Sequence, residues 1–183
     1  MPLTTAYPAA VLPLARTPLV FSALVTGSMA PDFPYFVSLS AHIRYGHTPE
    51  GIVLFCVPAG LAALWVFHSY IGPWLYRRIP ERHRIAWDAA GEFRFGPANR
   101  LCLIVLSVAI GAITHVAWDS CTHGYGWTVE RVAFLRIELF DSPFGTFKVY
   151  RVLQHGCSVL GMAALACYYL RWVAMRSEDS ADR

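Results

Sequence analysis

Two histidines and one aspartate recur at four-residue steps near the end of an apolar segment: His115, Asp119 and His123. On an α-helix with about 3.6 residues per turn, this spacing places the three side chains along one stripe. Imidazole and carboxylate groups at this spacing indicate either a divalent-metal site or a hydrogen-bonded pair that holds two helices together. We favour the metal site because a carboxylate in an apolar segment is costly and usually functional. His123 is either the candidate catalytic acid or base or a weaker candidate ligand.

Two further polar side chains lie at the edges of other apolar segments. Asp32 stands between two prolines, where it indicates either a functional carboxylate or the cap of a following helix. His47 lies in a short polar turn and is either a metal ligand or a solvated loop residue. The predicted metal ligands are Asp32, His47, His115 and Asp119.

The elements that must position these side chains are apolar helices. The 183-residue chain is 56% hydrophobic and only 15% charged, whereas soluble domains carry about 25% charged residues. Three blocks contain no Asp, Glu, Lys or Arg, and each approaches the roughly 20 residues that cross a bilayer. They are Gly51–Tyr76, Leu101–Trp118 and Val152–Leu170. The sequence therefore predicts an integral membrane protein.

A fourth apolar block, Pro18–Ala30, is too short for a straight crossing. It indicates a bent or short span, a re-entrant segment or a signal peptide. We expect a bent or short span, which makes the fold an all-α polytopic bundle of about four spans. In this prediction residues 1–176 form a single integral membrane domain, and residues 177–183 form a disordered acidic tail.

The distribution of arginine predicts a multi-pass orientation in the cell membrane. The segment Arg77–Arg100 is rich in arginine, whereas Asp119–Arg151 has as many acidic as basic residues. By the positive-inside rule the first segment and both termini are cytoplasmic, so the predicted ligands share the outer face. The net charge of +3 is too small to indicate nucleic acid. The expected partners are membrane lipid and a lipid or small-molecule substrate.

Two other features adjoin the predicted site. Gln154 and Ser158 begin the last apolar block one turn apart and could support the ligands by hydrogen bonds. The loop Gly124–Arg151 is rich in Phe, Leu and Ile, so we expect it to lie on the membrane surface or to cover the polar cluster.

Five motifs, spread over nearly the whole chain, carry a resemblance to a known family. They are Thr4–Ala10, Ser28–Phe36, Gly46–Pro49, Thr114–His123, and Leu153 and Gln154 with Ser158. Together they look like a bacterial membrane family of unknown function, the domain-of-unknown-function family 4184. This resemblance implies a membrane fold and no particular activity.

The motifs are more distantly similar to predicted inner-membrane metal-dependent hydrolases. Those families share an aspartate after proline, a His-Ser or His-Thr turn before a span, and a later His-x-x-x-Asp. This similarity implies the ligands Asp32, His47, His115 and Asp119. Where such families usually have an early histidine, this chain has Tyr7. Either one ligand is lost, or Tyr7 replaces it as a phenolate or hydrogen-bond donor.

The leading prediction is therefore a metal-dependent hydrolase, with zinc as the candidate ion, that cleaves an ester or phosphoester at the outer membrane face. The alternative is a non-enzymatic membrane protein, either a transport component or a scaffold. In that protein the same histidines and aspartates would form a structural polar network.

Overall fold

The computed structural model describes residues 4–38, 45–143 and 145–181, which are largely helical. A 3₁₀ helix, Thr4–Arg16, comes first. The α-helices that follow, numbered in chain order, are α1 (Phe21–Met29), α2 (Phe33–Ser38), α3 (Pro49–Tyr76), α4 (Glu81–Ala89), α5 (Ala98–Thr122), α6 (Trp127–Arg131) and α7 (Val149–Ala181). Short 3₁₀ turns lie at Ala30–Asp32, Tyr45–His47 and Ala133–Arg136.

Three helical segments are long and apolar enough to cross a membrane within residues 4–38, 45–143 and 145–181. They are Pro49–Tyr76, Ala98–Arg131 and Val149–Arg176, and they cover the three blocks without charge. In their most apolar windows only 22%, 33% and 17% of the residues are buried inside the protein. Because so much apolar surface faces outward, these helices support association with a membrane.

The first apolar block, Pro18–Ala30, forms a short helix. α1 ends at Met29 and continues into the 3₁₀ turn Ala30–Asp32, after which α2 begins. Three of the roughly four expected spans are thus supported, and a crossing by the first block stays a prediction. The extent of the membrane domain, residues 1–176, and the disorder of residues 177–183 stay predictions as well.

A two-stranded antiparallel sheet departs from the predicted all-α fold. β1 (Glu138–Ser142) pairs with β2 (Gly145–Lys148), and Ser142 lies opposite Gly145 at the turn. Gly145 has a φ of 101°, a backbone conformation that glycine adopts at no steric cost. The all-α prediction is wrong for this hairpin because it relied on helix-length apolar blocks, and two strands of four or five residues give no such signal.

The helix α3 contains two π-helical stretches, Ile52–Cys56 and Phe67–Ile71, each followed two residues later by a proline. A proline lacks the N–H group, and its ring clashes with the carbonyl group four residues earlier. A wider π turn makes room for the ring. The helix can therefore pass Pro58 and Pro73 and continue to Tyr76.

The helices α1 and α5 approach to backbone contact because glycines line their crossing. A Cβ atom on Gly111 would overlap the Leu24 carbonyl oxygen, and one on Gly27 would overlap that of Val108. Val108 belongs to the fully buried core, which α3 joins through Leu64. Small residues permit such close helix packing in membrane proteins.

We expect Gly111→Ala to lower the free energy of unfolding by about 1 to 3 kcal/mol, because the added methyl group must push α1 away from α5. Thermal unfolding of the detergent-purified protein measures the loss. Gly156→Ala is the matched control, since a Cβ atom there meets nothing within 4 Å. Equal stability of the two variants would contradict backbone contact between α1 and α5.

Candidate metal centre

The structure brings together the five side chains that the sequence predicts as site residues. Asp32 ends the 3₁₀ turn after α1, and His47 lies just before α3. His115 and Asp119 lie one turn apart on α5, and His123 is the C-terminal cap residue of that helix. Their roles as ligands and as catalytic residue stay predictions.

Local sequence signals position the two predicted ligands that lie outside α5. The Thr48 hydroxyl accepts a hydrogen bond of 3.0 Å from the Gly51 N–H group and so caps α3, which places His47 at the helix start. Pro31 stands in the turn before α2, where its missing N–H group costs no helical hydrogen bond. Asp32 follows it and is 6% exposed.

Two histidine nitrogens face two carboxylate oxygens at the centre of the cluster. His47 Nε2 lies 3.7 Å from Asp32 Oδ1 and 3.3 Å from Asp119 Oδ2. His115 Nε2 lies 3.6 Å from each of the same two oxygens. We call these four side chains the ligand cluster.

The separations resemble those of ligand atoms around a four-coordinate ion. Zinc lies about 2.1 Å from nitrogen and oxygen ligands, so neighbouring corners of its tetrahedron are about 3.4 Å apart. An octahedral Mg²⁺ site, with ligands also at about 2.1 Å, has neighbouring ligands about 3.0 Å apart. The four nitrogen–oxygen distances of 3.3 to 3.7 Å are nearer the tetrahedral value, but only three of the four side chains form a group whose ligand atoms all lie within 4.8 Å of one another. Asp32, His47 and His115 form a buried group that could bind a metal.

The inward-facing imidazole nitrogens are buried and make no hydrogen bond to any described residue. His115 Nδ1 lies 2.7 Å from the Ser28 carbonyl oxygen, which can only accept a hydrogen bond. Nδ1 therefore carries the hydrogen, and Nε2 of the neutral ring keeps its lone pair for a ligand bond. An unsatisfied buried nitrogen is costly, so these atoms indicate a missing partner.

Both carboxylates are oriented by hydroxyl groups of the N-terminal 3₁₀ helix. Thr4 Oγ1 donates a hydrogen bond of 2.7 Å to Asp32 Oδ2, and Tyr7 Oη donates a short one to Asp119 Oδ1. Each carboxylate therefore uses one oxygen for a hydroxyl donor and turns the other toward His47 and His115. Outer hydrogen bonds of this kind fix the ligands of metal sites.

Tyr7 acts as a hydrogen-bond donor in this arrangement. Its ring stacks on His115 with ring centroids 3.7 Å apart. Burial, and then the negative charge of Asp119, raises the pKa of the Tyr7 phenol well above its usual value, so the phenol stays protonated. The sequence left open a phenolate or a donor at this position, and the contacts favour the donor.

His123 lies outside the ligand cluster and contacts it through Asp119. Its Nδ1 atom lies 3.3 Å from Asp119 Oδ1, and its Nε2 atom lies 2.9 Å from the Gln154 side-chain nitrogen. Gln154 thus supports His123 directly, whereas the Ser158 hydroxyl donates to the backbone carbonyl oxygen of Gln154 within α7. Sequence reasoning missed the contact of Thr4, whose only signal is its place one 3₁₀ turn before Tyr7.

The five side chains of the site are all largely enclosed, and they differ only slightly in exposure. The His115 side chain is 0% exposed and that of Asp119 is 7% exposed. The side chains of His47 and His123 are 10% and 14% exposed. His123 is therefore the most exposed of the five side chains.

We expect Tyr7→Phe to weaken zinc binding about 10- to 100-fold, because it removes the donor that orients Asp119 and keeps the stacked ring. Isothermal titration of the metal-free protein with zinc measures this change. Tyr70→Phe serves as the control, since Tyr70 is 61% exposed. The same affinity in both variants would show that the phenol does not orient the carboxylate.

Comparisons with known proteins place the chain in a family. No curated protein and no solved structure matches it. The family model described as "Domain of unknown function (DUF4184)" matches residues 1–183. The predicted relation to membrane hydrolases stays a prediction. Since the match covers the whole chain, the protein belongs to the DUF4184 family.

Proposed function

We propose that this protein is a metal-dependent hydrolase that cleaves an ester or phosphoester at the outer face of a membrane, with zinc as its ion. One observation carries the proposal. His47 Nε2 and His115 Nε2 are buried, have no hydrogen-bond partner among the described residues, and face two carboxylate oxygens at 3.3 to 3.7 Å. Imidazole and carboxylate groups are a donor set that suits zinc.

Asp32, Asp119, His47 and His115 would hold the ion. Two carboxylates and two neutral imidazoles balance the double positive charge, and both residue types are ordinary zinc ligands. When bound, a divalent ion lowers the pKa of a coordinated water and so supplies a nucleophile near neutral pH.

His123 is placed to move the proton that hydrolysis requires. In the reaction the water oxygen bonds to the acyl carbon or phosphorus, and the bond to the alcohol oxygen breaks. One water proton must reach that leaving oxygen. His123 is the most exposed member of the site, and Asp119 and Gln154 hold its ring on both sides. It can therefore accept the proton and deliver it.

A structural network in a transport component or scaffold is the second candidate. The histidine–carboxylate distances are also those of ion pairs, as expected if the imidazoles carry protons instead of a metal. Such a network would tolerate His115→Gln and Asp119→Asn with a modest loss of stability. A metal site would not, since each variant removes a ligand.

We expect the detergent-purified protein to contain about one equivalent of zinc after resupply, because a metal hydrolase needs its ion for the nucleophile. His115→Gln and Asp119→Asn should lose most of it. Elemental analysis measures the content, and His155→Gln is the matched control because His155 is exposed on α7. Less than about a tenth of an equivalent of any transition metal in the wild type would exclude the hydrolase.

The same preparations test the reaction with p-nitrophenyl phosphodiesters and carboxylic esters. Hydrolysis should follow zinc content across the variants. His123→Gln should keep the metal and lose about 100-fold or more in rate, since it removes only the proton carrier. Zinc-loaded wild type without activity on either ester class would leave the structural network as the function.

We also propose that the protein crosses the membrane several times with both termini in the cytoplasm. Arginines of the segment between α3 and α5 support a cytoplasmic position for that segment. The ligand cluster, which lies where α3 begins and α5 ends, would then face outward.

Alkaline phosphatase fusions test this orientation, because the enzyme is active only outside the cytoplasm. We expect a fusion after Glu92 to be inactive and one after Asp141 to be active, since they lie on opposite sides of α5. The reverse pattern would contradict the arginine-based orientation and move the cluster to the cytoplasmic face.

A further inference from the structure

A long apolar groove lies beside the ligand cluster, between the N-terminal 3₁₀ helix, α5 and α7. It consists of two cavities of about 250 and 480 Å³ that share Ala10, Trp118 and Cys157 in their walls. The larger cavity has the volume of a small-molecule site, for which about 300 to 1,000 Å³ is usual. We call the two cavities together the groove.

The groove is elongated along the helices. On α7 its wall runs from Leu153 to Ala164, and on α5 it runs from Thr114 to Thr122. At about 1.5 Å per residue these stretches measure about 16 and 12 Å. A space that is long, apolar and parallel to the helices fits a hydrocarbon chain.

Small side chains keep the groove open. The smaller cavity is lined by Ala6, Ala9, Gly161 and Ala164, and the larger cavity is lined by Ala117. A Cβ atom on Gly161 would lie 3.3 Å from the Cβ atoms of Ala6 and Ala9, so α7 approaches the 3₁₀ helix closely there. Larger residues at these positions would fill the space.

One end of the groove meets the site. Thr122 and Leu153 line it there, and the next residue of each, His123 and Gln154, are in contact with each other. Tyr7, the donor to Asp119, lines the smaller cavity. Both cavities of the groove therefore adjoin residues that contact the site.

We infer that the groove binds one alkyl or acyl chain of a lipid, whose polar head then lies at His123 and the ligand cluster. The substrate class follows as membrane lipids with a hydrolysable ester or phosphoester head. Cleavage of that head rests on the proposed hydrolase function, whereas binding of the chain rests on the groove alone.

The cysteines of the chain give a direct test of chain binding. Cys121 and Cys157 line the groove, whereas Cys102 and Cys167 are exposed on the same helices and do not line it. The protein is kept in a sterol-based detergent, which has no straight alkyl chain, and alkylated with N-ethylmaleimide. Mass spectrometry gives the rate at each thiol with hexadecyl phosphate or with methyl phosphate.

Hexadecyl phosphate should slow alkylation of Cys121 and Cys157 several-fold and leave Cys102 and Cys167 unchanged. Methyl phosphate should protect none of them. Equal slowing at all four thiols, or no slowing, would overturn the groove as a chain site.

Two neighbouring alanines of α7 provide matched variants. Ala164→Phe fills the groove and should abolish the protection, whereas Ala163→Phe adds the same ring outside the groove and should keep it. Protection retained in Ala164→Phe would place the chain elsewhere and overturn the inference.

The assay needs neither metal nor turnover, so Asp32→Asn should be protected like the wild type. Protection in a wild-type protein that binds no zinc after resupply would refute the hydrolase proposal and leave the chain site standing. If hexadecyl phosphate does not protect the thiols of a zinc-loaded, active wild type, the chain site is refuted and the hydrolase proposal stands.

Discussion

The arrangement of the rest of this structure depends on two buried carboxylates, Asp32 and Asp119. Negative charges brought together in an apolar bundle repel each other and lose their hydration, so each needs donors and a shared positive charge. The donors come from the N-terminal 3₁₀ helix, and the space between the inward oxygens is framed by His47 and His115. Zinc or protons can supply the positive charge there, and the choice separates an enzyme from a scaffold.

The close approach of α1 to α5 brings α1 and the 3₁₀ turn after it against both ring nitrogens of His115. Ser28 and Asp32 are one turn apart, and they meet Nδ1 and Nε2 of His115 respectively. This contact needs the short backbone distance that Gly27 and Gly111 allow. The close packing at Gly27 and Gly111 thereby determines which ring nitrogen of His115 carries the hydrogen.

The sequence is informative where residue type alone decides the outcome. Blocks without charge predict the long helices, and a rare buried carboxylate beside histidine marks a candidate site. The contact of Thr4 with Asp32 is beyond such reasoning, because one hydroxyl among many carries no signal of its distant partner. The hairpin could have been found, since Ser142 and Pro143 precede Gly145 between short strands that contain phenylalanine.

The contact between Tyr7 and Asp119 joins residues 112 positions apart, which bears on how the protein is made. The ribosome delivers the phenol long before its acceptor, and the long apolar helix α3 is made between them. During that interval Asp32 has its Thr4 partner within reach, whereas His115 has not yet been synthesised. Before α5 is made, Asp32 therefore lacks the imidazole of His115 beside it, and the synthesis of α5 supplies that imidazole together with the second carboxylate, Asp119.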